Sequence, residues 1–330
     1  MNWDPLMIGS GPPPKAETRK GGTADMCKLF IACGLMRRET VLRFIQRAAS
    51  TFAKSQRDGF GFVAYGPDGV ATGRYLEPSN YPGFRANLPA WIDAPLKESG
   101  EIPALTTALV CHGRTATSRV TLDNVHPFQR GSTFLCHNGI LRFVGEGPEP
   151  AARHGCDSDS FLTWLWSRRS SAAAWDATAA AWTGYGVFGI IDSKRGRLTV
   201  AKCGDGRLSY AAGERLHLWS TDAADLQSIA GKGAKADPTL GKPFSMRART
   251  RCVFDVSRRA VRLLEIKDWQ GFGERVRDTD WFRSMGQPSP SAAAPLARTP
   301  RRWEALARED SFPDWDPTPT PTPSVPEVLP

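Results

Sequence analysis

The sequence predicts an α+β protein in which antiparallel sheets are covered by helices. Three observations lead there: segments rich in β-branched and aromatic residues outnumber helical ones, they follow one another as hairpins, and the few helical segments stand apart in the chain. A doubly wound fold would instead alternate strand with crossover helix, and this sequence does not.

The elements follow in order. "RETVLRFIQRAASTFAKS" spaces Val41, Phe44, Ile45, Ala48 and Phe52 as one face of an amphipathic helix. "GFGFVAYG" follows as a strand, and "ALTTALVCHGRTAT" and "STFLCHNGILRFV" are two further β-rich runs around a loop at 118–130. "SDSFLTWLWSRR" opens with Ser and Asp as helix caps, so a helix is expected to start near Ser158. "YGVFGIIDSKRGRLTVAKCG" reads as a hairpin turning at Asp192–Gly196. "RLHLWSTDAADLQSIA" reads as a strand and then a capped helix, and "TRCVFDVSRRAVRLLEI" as a last hairpin. No internal repeat is visible.

This globular patterning spans 27–268. Residues 1–26, with "GSGPPP", cannot continue a helix or sheet and read as a leader, a propeptide or a misplaced start. Residues 269–330 carry the Pro-rich runs "PSPSAAAPLARTPRR" and "DPTPTPTPSVPEVLP", an extended tail in which "TPRRWEALARED" could form a short docking helix with Trp303 and Leu306 on one side.

Composition narrows the function classes. No apolar run is long enough to span a bilayer, and the N-terminus lacks the apolar core of a secretory signal, so a cytoplasmic protein is expected. Seven cysteines without CxxC or Cys/His spacing argue for reduced thiols and against zinc. The formal charge of +9 could suit nucleic acid, but the basic residues are scattered and no aromatic-interleaved basic motif appears. Gly59 and Gly61 in "DGFGF" do not make a nucleotide loop, because the glycine pattern is incomplete and no phosphate-cradling helix follows. His112, His126 and His137 fall close in sequence, yet no carboxylate or thiol sits at ligand spacing, so no metal or other cofactor is expected. The Gly-, Ala-, Arg- and Pro-rich composition hints at a GC-rich bacterial or phage genome without proving either.

Several residues could carry chemistry together. Arg114 in "CHGRTATS" stands where a strand meets a loop, placed to offer a bidentate fork to a carboxylate. "HNG" combines the Asn138 side-chain amide with the Gly139 backbone N–H, two neutral donors for a developing oxyanion. "DSDS" supplies Asp159, a carboxylate for an ammonium group. Add a thiol nucleophile, and the set meets what a free amino acid with a side-chain amide requires.

In order along the chain, "MCKLF", "DGFGFVAYG", "HGRTATS", "NVHPF", "FLCHNGIL", "SDSFL", "GYGVFGIID" and "STDAADL" resemble the class II glutamine amidotransferase domains, N-terminal-nucleophile (Ntn) hydrolases that begin with cysteine. The resemblance covers Cys27 to about Asp222 and extends plausibly through the last hairpin. It implies a four-layer αββα sandwich of two antiparallel sheets with the nucleophile at the start of a central strand. Position by position, it implies Cys27 as nucleophile, Arg114 and Asp159 as the grips for the glutamine α-carboxylate and α-ammonium, and Asn138 with Gly139 as oxyanion hole. Thr117, Asn124 and His126 match residues near the substrate loop. The base is then the α-amine of Cys27, whose pKa is about 8 when free, and His126 is not needed for that task.

The sequence departs from the family pattern in three places. Lys28 follows the nucleophile where the biosynthetic enzymes have glycine, Arg119 stands where glycine is common, and 26 residues precede Cys27. An attached extension would block the amine. Removal of a misannotated segment and of Met26, cleavage of a propeptide, and a retained, inactive extension are the three explanations; "KGG" at 20–22 can encode a purine-rich ribosome-binding sequence upstream of Met26.

The expected activity is glutamine hydrolysis that supplies ammonia to a separately encoded acceptor enzyme, since the tail is too short and too biased to be a synthase domain. A stand-alone γ-glutamyl amide or peptide hydrolase and an inactive Ntn-fold binding module are the alternatives.

Overall fold

The computed structural model describes residues 27–56, 58–76, 101–116, 120–146, 149–150, 152, 156–168, 180–204, 206–231, 237–258 and 261–268. The expectations for 1–26 and for 269–330, including the docking helix, lie outside these residues, as do Thr117 and Arg119.

Two antiparallel sheets face each other. The first, with seven strands, comprises β1 (Lys28–Arg37), β2 (Phe60–Gly66), β3 (Gly69–Tyr75), β4 (Leu105–Gly113), β9 (Ser209–Ala212), β10 (Leu216–Ser220) and β11 (Phe244–Ser245), in the order β11-β9-β10-β1-β4-β2-β3. The second, with six, comprises β5 (Phe128–Arg130), β6 (Thr133–Phe143), β7 (Trp182–Asp192), β8 (Arg197–Cys203), β12 (Thr250–Asp255) and β13 (Arg262–Asp268), in the order β13-β12-β8-β7-β6-β5. Three helices are described: α1 (Arg38–Phe52), α2 (Asp157–Ser167) and α3 (Ala223–Ala230).

β1 shows why the first sheet is buried on both sides. Successive side chains of a strand point to opposite faces. Phe30 and Ala32 pack toward the apolar stripe of α1 (Val41, Phe44, Ile45, Ala48 and Phe52), together with Leu226 and Ile229 of α3. Leu29, Ile31 and Cys33 face the other way, against Phe134, Cys136 and Val187 of the second sheet. The second sheet's far face packs Leu135 and Phe188 on Phe161, Leu162 and Leu165 of α2. The molecule is thus a mixed α+β sandwich. Each fully buried Phe, Leu or Ile in these clusters contributes about 1.5–3 kcal/mol relative to exposure.

The helix at 38–52, the hairpins at 182–203 and 250–268, and the strand–helix pair ending in α3 lie where the sequence predicts them. Asp222 caps α3, accepting from the N–H groups of Ala224 and Asp225. α2 starts near Ser158 as expected, but without the side-chain caps the sequence suggests. The helix begins at Asp157, no side chain caps it, and Ser158 and Asp159 lie inside its first turn with their side chains engaged elsewhere.

The "DGFGF" glycines have a packing role. A Cβ on Gly61 would lie 1.9 Å from the His126 carbonyl oxygen, and one on Gly59, at φ +143°, would meet Val125 at 2.7 Å. Their bareness lets the "NVHPF" segment lie directly on the end of β2.

Candidate active site

Cys27 immediately precedes β1, whose first residues pair with the last residues of β4: Lys28 with Gly113 and Leu29 with His112. On the other flank, Leu29 and Thr221 exchange bonds, the Leu29 N–H donating to the Thr221 hydroxyl and the Thr221 N–H to the Leu29 carbonyl. The start of the strand is therefore held from both sides.

The Cys27 sulfur touches the backbone of Thr115 twice. The thiol donates to the Thr115 carbonyl at 3.4 Å, and the Thr115 N–H approaches the sulfur at 3.4 Å. Burial pushes the thiol up to about 11; the Thr115 backbone and the Arg114 charge pull it down, and Asp157 pushes it up. The sulfur thus lies in the electrostatic reach of one cation and one carboxylate.

The segment bearing Arg114 is clamped by the turn after α1. The Arg114 N–H donates to the Gly59 carbonyl at 2.8 Å, the Asp58 N–H donates to the Arg114 carbonyl at 3.2 Å, and the Asp58 carboxylate accepts from the Ala116 N–H at 2.7 Å. The Thr115 hydroxyl bonds the Gln56 side chain. Arg114 itself is buried.

Asn138 and Gly139 stand on β6, in the facing sheet. Phe134 and Cys136 point into the gap between the sheets, and alternation carries Asn138 to that same face. Gly139 has φ +154°, and a Cβ there would lie 2.1 Å from the Tyr185 carbonyl oxygen and 2.8 Å from His137 Nε2, so only glycine fits. His137, one step out of phase, faces α2. Its ring stacks on Phe188 at 4.6 Å, and its Nδ1 meets the Ser158 hydroxyl at 2.9 Å.

The two carboxylates of "DSDS" have separate environments. Asp159 is fully buried, and its carboxylate pairs with Arg130 at 2.5 Å. Asp157 is half-buried; it accepts from the Leu141 N–H at 2.7 Å and from the Ser158 N–H at 2.7 Å. Desolvation raises its carboxyl, offset by those backbone bonds. Its charge reaches both Cys27 and the Tyr185 hydroxyl, which burial and Asp157 push up. The sequence reading singled out Asp159; in the structure that carboxylate is paired with Arg130, while the charge of Asp157 acts on the Cys27 thiol. Positions i and i+2 of a helix are separated by about 200°, so the two cannot share one target. Arg130, in "HPFQR", was the overlooked signal, an arginine whose burial demands a counter-charge.

His126 and Asn124 are buried beside the site, Asn124 ending a short 3-10 turn at Leu122–Asn124. The His126 ring lies 4.1 Å from that of His112 and 4.5 Å from Phe128. Desolvation, then the neighbouring imidazoles, lowers His126 well below its ordinary range. Among the described residues no group of three or more His, Cys, Asp or Glu could hold a metal ion, and no helix is long and apolar enough to cross a membrane. None of the seven cysteines, all among the described residues, forms a disulfide.

No family model and no curated protein sequence matches the chain. Among solved structures it is similar to the glutamine phosphoribosylpyrophosphate amidotransferase from B. subtilis complexed with ADP and GMP. That match has 13% identity, covers 72% of this chain and 49% of that one, and has a TM-score of 0.49. It is also similar to a structure described as the allosteric regulatory enzyme of purine biosynthesis, at 14% identity, the same 72% and 49% coverage and a TM-score of 0.49. The chain spans about half the length of these two structures. What the site can do therefore rests on its own geometry.

Proposed function

We propose that this chain is a class II glutamine amidotransferase-type amidohydrolase, with Cys27 as its N-terminal nucleophile and glutamine as its substrate. The fold is then the four-layer αββα sandwich of the Ntn hydrolases. One observation carries the reading: the Cys27 sulfur rests on the Thr115 backbone, next to Arg114, at the head of the strand whose Leu29, Ile31 and Cys33 face the sheet that bears Asn138.

The roles follow from chemistry. Arg114 takes the substrate α-carboxylate through its planar fork. The α-ammonium goes to Asp157, which is half-buried and whose charge acts on the thiol, while the buried Asp159 pairs with Arg130. Thr117, Asn124 and His126 are assigned to the neighbourhood of the substrate loop on the strength of the family resemblance alone. The free α-amine of Cys27, through a bridging water, takes the thiol proton as the sulfur attacks the amide carbon. The Asn138 side-chain amide and the Gly139 N–H stabilise the oxyanion. Collapse breaks the C–N bond and releases ammonia carrying that proton. Water then cleaves the γ-glutamyl thioester, returning glutamate and the thiol. Burial that keeps the thiol protonated at rest makes this base necessary. The ammonia passes to a separately encoded acceptor enzyme in the cytoplasm.

Two measurements on protein expressed from the full reading frame test this reading. Intact mass should begin at Cys27, and glutamine should yield glutamate and ammonia, faster when the acceptor enzyme is added. A mass that retains residues 1–26 together with no turnover sinks the proposal. Turnover of γ-glutamyl peptides in preference to glutamine would move the same machinery to a stand-alone γ-glutamyl hydrolase.

A further inference from the structure

β4 sends Ala108 and Val110 into the gap between the sheets, and His112 is next in that alternation. It is fully buried, and its Nε2 lies 3.0 Å from the carbonyl oxygen of His137 on the opposite sheet. A carbonyl can only accept, so His112 donates and its imidazole is the Nε2–H tautomer. Burial, then the neighbouring His137, lowers its pKa to about 3, which keeps it a neutral donor at any working pH.

The acceptor gives this bond its meaning. The His137 carbonyl and the Asn138 N–H belong to one planar peptide unit, from which the Asn138 side chain and then Gly139 depart. At its other end, His112 pairs in register with Leu29, two residues from Cys27, and stands two residues before Arg114. A single hydrogen bond therefore joins the strand end that carries thiol and arginine to the strand that carries the oxyanion donors. The ring is wedged in place by His126 at 4.1 Å. Gly61, its partner on β2, is the residue whose missing Cβ admits the His126 backbone.

We propose that His112 is a positioning residue whose Nε2–H, bonded to the His137 carbonyl, sets the spacing between the Cys27 thiol and the Asn138–Gly139 oxyanion donors; this rests on the amidohydrolase reading. Small errors in that spacing affect the transition state more than substrate binding, because the oxyanion forms only during reaction.

The test uses protein from the full reading frame and two variants. His112→Phe keeps a flat ring and removes the donor; His112→Gln keeps an N–H at similar reach. Rates are expressed per reactive Cys27, titrated with an electrophilic glutamine analogue, which removes any misfolded fraction. His112→Phe should lower kcat by about tenfold to a hundredfold while KM moves by less than about threefold, and His112→Gln should recover most of the loss. Parental kcat in His112→Phe, or equal impairment in both variants, overturns the proposal. The parent carries a second readout: spectra of 15N-histidine protein should show His112 as the Nε2–H tautomer, and Asn138 amide exchange should quicken in His112→Phe. An Nδ1–H tautomer overturns the tie even in an active enzyme. A parent that hydrolyses no γ-glutamyl amide, yet shows this tautomer and this exchange, sinks the amidohydrolase reading and leaves the tie standing.

Discussion

The two ends of β4 each reach across to other backbone, and they do so differently. At its start, Thr107 donates to the Val256 carbonyl at 2.6 Å, with the Tyr65 carbonyl a second acceptor at 3.3 Å. This lies where the pairing with β1 shifts, so that Gly34 and Leu35 of β1 bulge opposite one residue of β4. At its finish, His112 donates to the His137 carbonyl. The first tie closes the sandwich after the last hairpin's leading strand and touches nothing reactive. The second, on the proposed reading, joins the nucleophile Cys27 to its oxyanion donors. Similar bonds at two ends of one strand therefore separate stability from chemistry, and each end can be attacked independently.

The largest expected effect is at the histidine end. His112 and His137 are held at about 3 and His126 lies well below its ordinary range, all chiefly through desolvation, whereas unfolded histidine titrates at about 6.5. Below pH 6.5 the unfolded chain binds protons that the folded one refuses. Stability should therefore be flat above about pH 7 and fall toward pH 3, by about 1.4 kcal/mol per pH unit for each imidazole. Urea midpoints at pH 8, 6.5 and 5.5 measure this, and equal midpoints at all three would contradict it.

Next come the paired carboxylates. Asp159→Asn removes the charge opposite buried Arg130 and should cost about 3–5 kcal/mol in urea unfolding. Asp157→Asn can accept from only one of the Leu141 and Ser158 N–H groups, so it should cost about 1–3 kcal/mol, less than Asp159→Asn, and raise KM for glutamine by about tenfold or more. Reversed results would return the ammonium site to Asp159. The smallest effect belongs to the other end of β4. Thr107→Val should cost about 1–3 kcal/mol of stability through the carbonyls it deserts, with kcat and KM unchanged.

Much of this was legible in the sequence, for identifiable reasons. The period of Val41, Phe44, Ile45, Ala48 and Phe52 needs no tertiary information to define a buried helix face, and α1 buries that face. The turn at Asp192–Gly196 is local chemistry, and β7 and β8 meet there. The different surroundings of Asp157 and Asp159 are not local. They depend on Arg130, which approaches only when β5 and α2 pack, and on Leu141, whose N–H recruits Asp157 across the sheet end. For the same reason Ser158 reads as a cap in sequence but bonds His137 instead. The "DGFGF" glycines likewise acquire their meaning from Val125 and His126, residues that no spacing rule connects to them.

β1 lies between β10 and β4, so the strand headed by Cys27 is completed by residues 105–113 and 216–220. A ribosome delivers it long before either neighbour. During synthesis "LFIACGLM" is an apolar ribbon with both edges open; β4 pairs one edge, and the other is fastened at its first residue only when Thr221 arrives. The surroundings of Cys27 are thus completed late in the life of each molecule, and a chain stopped short of β10 would carry the thiol that the proposed reaction needs without the strand that fixes its neighbours.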